Sequence, residues 1–268
     1  MNGVVTIKQL QFEYRLTASY SAEISNHSFT VMFVPKDSNR QKITSLAIAV
    51  KECDRYYMTA DSFGNEKIYG KITAPHRTFD VSISGVAQTG LDIYEEYTED
   101  SFNAVLLRSQ TALTQPGAKL KEYHRCLPLE KCDSDYEKAL FVMRSLPQSF
   151  HYRKGVTSVH EKAEDAFALG AGVCQDYAHI MASLLRMEGI PVRYVVGMIP
   201  GEGASHAWVE ALCQGYWYGF DPANNKLVDE DYIKVSCGRD SADCSVIRGS
   251  FYGCAGQEQT ERITVNEI

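Results

Sequence analysis

Apolar and polar residues alternate along much of the first hundred positions. IKQLQFEYRL (7–16), HSFTVMFVP (27–35) and ITSLAIAV (43–50) carry the period-two pattern of half-buried strands, and KIYGKIT (67–73) and TFDVSISGVAQT (78–89) repeat it. PKDSN (35–39), DSFGN (61–65) and APH (74–76) punctuate these runs with turn-forming residues, and Gly64-Asn65 is expected to supply special backbone angles. Short strands at this spacing, with no helical period between them, predict an N-terminal β-sandwich over residues 1–100.

The period then changes. Residues 101–123 read as a linker on the Gln-Pro-Gly punctuation of QTALTQPGAKLKEY. YEKALFVMRSL (136–146) has helical spacing, with a cap available from Asp133-Ser134-Asp135 and a stop at Pro147. SVHEKAEDAFAL (158–169) is a second helical stretch, ending at Gly170. A third starts at Gly172-Val173-Cys174 and sets Tyr177, Ile180, Met181, Leu184 and Leu185 on one face before Gly189 and Pro191 end it. VRYVVGMI (192–199), HAWVEALC (206–213) and YWYGFD (216–221) return to strand. Helices followed by antiparallel strands predict an α+β domain over 124–268, its helices packed on an antiparallel sheet.

Three residues in this second region have compatible chemistry. Cys174 opens a helix, where the free N–H groups and the helix dipole stabilise a thiolate, the nucleophilic form of a thiol. Gly172 permits close backbone approach, so the Cys174 amide can also face a substrate oxyanion. Taken alone, Cys174 is equally one more small buried side chain. His206 gains meaning from the hairpin that follows it. A two-residue turn at Gln214-Gly215 pairs Cys213 with Tyr216 and sets Trp208 opposite Asp221. His206 is then the diagonal neighbour of Asp221 on the same face, roughly 7–8 Å away and within reach of a side-chain hydrogen bond. A slip of one residue would send Asp221 to the other face. Asp221 also precedes Pro222, where a plain turn role would suit it. Together the three predict Cys174 as nucleophile, His206 as general base and later acid, and Asp221 as the group that fixes the imidazole tautomer.

Composition narrows the partners. Acidic residues outnumber basic ones 34 to 27, giving a formal charge of −7, and no basic stripe occurs, so nucleic acid is not an expected partner. The N-terminus lacks a basic, then apolar leader, and LAIAV (46–50) and YVVGMI (194–199) are too short to cross a bilayer; a soluble cytoplasmic protein without membrane association is expected. The eight cysteines include no C-x-x-C pair, which leaves no zinc-ribbon or thioredoxin motif and favours free thiols. No metal or cofactor is expected, and no paired-carboxylate calcium loop stands out.

GAGVCQDYAHIMASLLRMEGIPVRYVVG, then SHAWVEA, then YGFDPANN resemble, in that order, the bacterial transglutaminase-like superfamily, whose members are often described as cysteine proteases. Tyr152 to Thr157 and IKVSCGRDSADCSVIRGSFYG (233–253) are similar to its flanking segments, and DSFGN with APHRTFDVS to its N-terminal β-rich region. The resemblance implies a papain-like thiol-hydrolase fold with the triad on Cys174, His206 and Asp221 and a peptide or protein substrate, a glutamine or other amide side chain included. Tyr152 is the candidate second donor to the oxyanion, against an aromatic packing role. Three functions stay open at this point: a cysteine peptidase or amidase, a transglutaminase that passes the acyl group to an amine, and a binding module without catalysis. GRDSAD (238–243) is expected to form an internally hydrogen-bonded loop, and His179 to pack.

Overall fold

The computed structural model describes residues 6–96 and 101–268. Five strands come first: β1 (Lys8–Val34), β2 (Gln41–Val50), β3 (Arg55–Ala60), β4 (Glu66–Ile72) and β5 (His76–Thr89). The short β6 (Glu95–Glu96) leads to helices α1 (Ser101–Arg108), α2 (Ala118–Cys126) and α3 (Asp135–Ser145). Next come β7 (His151–Tyr152), α4 (Ala163–Leu169), β8 (Ala171–Gly172) and α5 (Cys174–Met187). The chain then alternates through β9 (Val192–Met198), β10 (Gly201–Gly203), β11 (His206–Cys213), β12 (Tyr216–Asp221) and β13 (Lys226–Leu227). It closes with β14 (Ile233–Gly238), β15 (Ile247–Tyr252) and β16 (Gln257–Glu267).

The strands expected at 7–16 and 27–35 are one 27-residue strand that serves both layers of the N-terminal sandwich. Its first half pairs with β5 on one side and β16 on the other. Its second half pairs with β4 and β15. Register shifts between Ser19 and Ile24 and between Ser25 and Ser28, with Asn26 at φ 47°, mark the passage from one layer to the other. Tyr14 from the first half stacks on Phe33 from the second at 4.0 Å, so a single strand closes the core on itself. Phe12, Leu16, Phe29 and Val31 alternate into that core with almost no exposure, as period two requires.

Several segments pair or start elsewhere than the sequence pattern suggests. From the segment 124–268, β15 and β16 flank β1 in the N-terminal layers. Conversely, β6 lies within the segment assigned to the sandwich, yet it pairs with β12 of the second sheet. The expected linker carries α1 and α2, and the boundary at residue 100 lies outside the described residues. The helix expected from 158 starts at Ala163.

The second sheet has the antiparallel order β13-β12-β11-β9-β14, with helices on one face. Helix α3 is capped by the Ser134 side chain, which accepts from Glu137 N, and α4 ends on left-handed Gly170 at φ 76°. Ala207, Val209 and Ala211 join α5 in the main core, whereas Trp208, between them in sequence, joins Val195, Val228 and Tyr232 in a second cluster. On that second side four charges are buried together. Arg193 binds Glu95 and Glu210, and Lys234 Nζ lies 3.0 Å from Glu95 and 2.9 Å from Glu210. Burial raises the Glu95 carboxyl, but Lys234 and Arg193 overcome it and hold the group well below the usual carboxylate range.

Two side-chain amides join the sandwich to β14, an edge strand of the second sheet. Gln41 donates to Lys234 O and accepts from Lys234 N, both at 2.8 Å. Asn65 donates to Cys237 O at 2.7 Å and accepts from Cys237 N at 2.8 Å. Each amide mimics a neighbouring strand, which satisfies backbone groups that an edge would otherwise leave open. The turn before Asn65 is held by Asp61 Oδ1, and only Gly64, at φ 73°, adopts the left-handed backbone expected of the pair.

Candidate active site

The expected hairpin register is present. Cys213 pairs with Tyr216 and Val209 with Phe220, around a turn whose residues Gln214 (φ 54°) and Gly215 (φ 86°) are both left-handed. His206 and Asp221 therefore meet, with His206 Nε2 2.7 Å from Asp221 Oδ2. An ionised carboxylate only accepts, so Nε2 carries the proton of this bond and Nδ1 is left for the thiol. The Cys174 side chain is near enough to act on the His206 imidazole, and the structure thus brings the three predicted residues together.

Cys174 is presented by a tight local device. The short parallel pair β7–β8 sets Tyr152 beside Gly172, and Arg153 N bonds Gly172 O at 2.8 Å. Asp176, in the first turn of α5, reaches back to accept from Val173 N and from Thr157 Oγ1, both at 2.7 Å. Gly172 is required by space: a Cβ there would lie 2.3 Å from Asp176 Oδ2. Cys174 emerges partly exposed, while His206 is 9% and Asp221 0% accessible.

Electrostatics favour a charged imidazole. Burial pulls His206 down, but the hydrogen bonds and charges of Asp221 and Cys174 outweigh it and raise the ring from 6.5 to about 10. Burial likewise pushes Asp221 up, and His206, Tyr232 and Asn224 bring it below its ordinary value. Tyr152 is 50% exposed; burial of its hydroxyl, then the charges of Cys174 and Asp221, raise it and keep it a donor.

Two members of the site escaped the sequence reading. Asn224 Nδ2 donates to Asp221 Oδ2 at 2.8 Å, and the backbone N–H groups of Ala223 and Asn224 reach Oδ1 at 3.1 Å. Tyr232 OH donates to Oδ2 at 2.8 Å, and its ring meets Trp208 edge-on at 5.3 Å. The DPANN turn hinted at Asn224, but nothing local marked Tyr232, which arrives from the loop before β14. The other expected features lie outside this site. His179 is fully buried and accepts from Ser241 N at 3.1 Å, and Arg239 and Asp243 close the GRDSAD loop with paired hydrogen bonds. All eight cysteines are free, and among the described residues no group of three or more His, Cys, Asp or Glu is arranged to hold a metal ion.

A helix-borne thiol facing a sheet-borne imidazole and carboxylate defines the papain-like class of folds. Residues 126–222 match the transglutaminase-like superfamily, and residues 10–88 match the bacterial transglutaminase-like N-terminal region. In both regions the chain is similar to this superfamily. An uncharacterised protein of Mycobacterium leprae is 28% identical over 240 residues, covering 82% of this chain and 84% of that one. An uncharacterised protein of Mycobacterium tuberculosis is 28% identical over 272 residues, covering 90% and 85%. Among solved structures, one described as a "Putative Cysteine Protease" from Cytophaga hutchinsonii superposes with a TM-score of 0.78 at 21% identity, over 98% of this chain and 91% of that one. That likeness concerns the fold.

Proposed function

We propose that the chain is a cysteine-dependent hydrolase of amide or peptide bonds in protein or peptide substrates. The observation that carries this reading is the Asp221–His206 hydrogen bond beside a partly exposed thiol that opens a helix and acts on the imidazole. The Cys174 thiolate attacks the amide carbonyl carbon, and the Cys174 backbone N–H, free of intrahelical bonding at a helix start, receives the oxyanion with the Tyr152 hydroxyl as second donor. The tetrahedral adduct collapses, the C–N bond breaks, and His206 Nδ1 gives its proton to the departing amine. Acylation removes the thiolate charge that helps to raise His206, so the neutral ring becomes a competent base. It takes a proton from water, which attacks the thioester; the acid is released and Cys174 returns.

A peptide library incubated with the wild type and with Cys174→Ala tests this reading. New amine termini are expected with the wild type and none with the variant. Equal cleavage by both would remove Cys174 from the chemistry. An added primary amine separates hydrolysis from transamidation: dominant amine incorporation would assign the chain to the transglutaminases proper.

A further inference from the structure

The loop between β13 and β14 is gripped, residue after residue, by the N-terminal layers. Arg40, just before β2, donates through Nη2 to Val228 O at 3.0 Å and Asp229 O at 3.3 Å. Thr89, the last residue of β5, donates to Glu230 O at 2.5 Å. Lys8, the first residue of β1, binds Asp231 at 2.8 Å. The next residue is Tyr232, whose hydroxyl ends on Asp221 Oδ2. Four consecutive residues are thus fixed from the sandwich, and the fifth touches the carboxylate that orients His206.

We infer that Tyr232 is a positioning residue for the triad and that the N-terminal sandwich holds it on Asp221 through Arg40, Thr89 and Lys8. This rests on the triad reading above. Asp221 lies in a buried site where its angle to His206 decides how well the imidazolium is stabilised. The Asx-type turn fixes Oδ1 from one side. Oδ2 is shared by His206, Asn224 and Tyr232, and Tyr232 is the donor that comes from outside the hairpin and its turn. Burial, then the Asp221 charge, raise the phenol above its ordinary value and keep it a donor to the ionised carboxylate. Its ring is wedged between Trp208 at 5.3 Å and the Lys226 ammonium at 5.7 Å, which leaves the hydroxyl little freedom to leave Oδ2. A role for the sandwich follows: it acts on the chemistry without contributing a group to it.

Iodoacetamide alkylation of Cys174, followed across pH by mass spectrometry of its peptide, reads the thiolate–imidazolium pair without any substrate. Tyr232→Phe keeps the ring and removes the donor. It is expected to slow Cys174 alkylation near pH ~6 about tenfold, the share of one hydrogen bond to a charged group, and to move the acid limb upward. Arg40→Ala is expected to move the same limb in the same direction by a smaller factor. Added to Tyr232→Phe it should slow the reaction no further, because it acts through that hydroxyl. Thr89→Val, a milder change, serves in its place if circular dichroism shows Arg40→Ala to be unfolded. An unshifted profile in Tyr232→Phe, or full additivity in the double variant, would overturn the inference. His206→Ala is the separate control: if it leaves alkylation unchanged, the triad reading fails rather than this one.

Discussion

One carboxylate, Asp221, receives five hydrogen bonds: two from the backbone of its own turn and three from His206, Asn224 and Tyr232. A buried anion needs such a shell, and here the shell also sets the direction in which the imidazole points. Asp221→Asn replaces an acceptor-only group by one that presents a donor, so the Nε2–H tautomer is no longer favoured. Turnover is expected to fall by roughly 10²–10⁴ with little change in far-ultraviolet circular dichroism, measured as kcat/KM on any cleaved peptide. At this scale Cys174, His206 and Asp221 were legible because each stood beside a feature with a local signature: a glycine-flanked helix start, a strand alternation and a two-residue turn. Tyr232 was not. Its partner lies eleven residues away across a loop whose path is set by the sandwich, and a single tyrosine in such a loop carries no mark of its target.

Among the elements, the β11–β12 hairpin followed directly from the sequence, since the left-handed pair Gln214-Gly215 fixes register without help from the rest of the chain. Strand β1 did not. Residues 17–26 carry few large apolar side chains, so the period fades where the strand crosses between layers, and one strand reads as two. Strand β3 was missed because its six residues are all exposed, and a strand that buries neither face has no alternation to display. Strand β15 is largely exposed and β16 largely polar, with only Ile263 and Val265 buried in the latter, and their place beside β1 is decided at long range. The Asn65 contact with β14 yields a separate expectation. Asn65→Ala strands a buried N–H and C=O of Cys237 and should destabilise the protein by about 1–3 kcal/mol, read from urea unfolding. An unchanged midpoint would show that water replaces the amide.

For the molecule as a whole, pH separates two groups of histidines. His179 is lowered to about 4, first by burial, and His27 likewise to about 4, by burial and then by His76 beside it. A histidine depressed in the folded state stabilises fully above its unfolded value of 6.5, and that contribution is lost as pH falls through the window to about 4. Thermal stability should decline across that window, and His179→Gln, which retains an acceptor for Ser241 N, should flatten the slope. His206 behaves in the opposite sense. Its raised value contributes stability in full below 6.5, and the contribution fades as pH rises through about 10. The proton needed by the leaving amine is lost in the same window, so kcat/KM should fall on the basic side near pH 10.

The central claim is that acyl groups pass through Cys174 under the control of His206. Reaction with an activated ester such as p-nitrophenyl acetate, quenched in acid and read by intact-mass and peptide mass spectrometry, tests it most directly. A single acetyl group on Cys174 is expected, formed in a burst, removed by neutral hydroxylamine, and formed far more slowly in His206→Ala. Acetylation that settles on another residue, or ester turnover that persists in Cys174→Ala, would contradict the account.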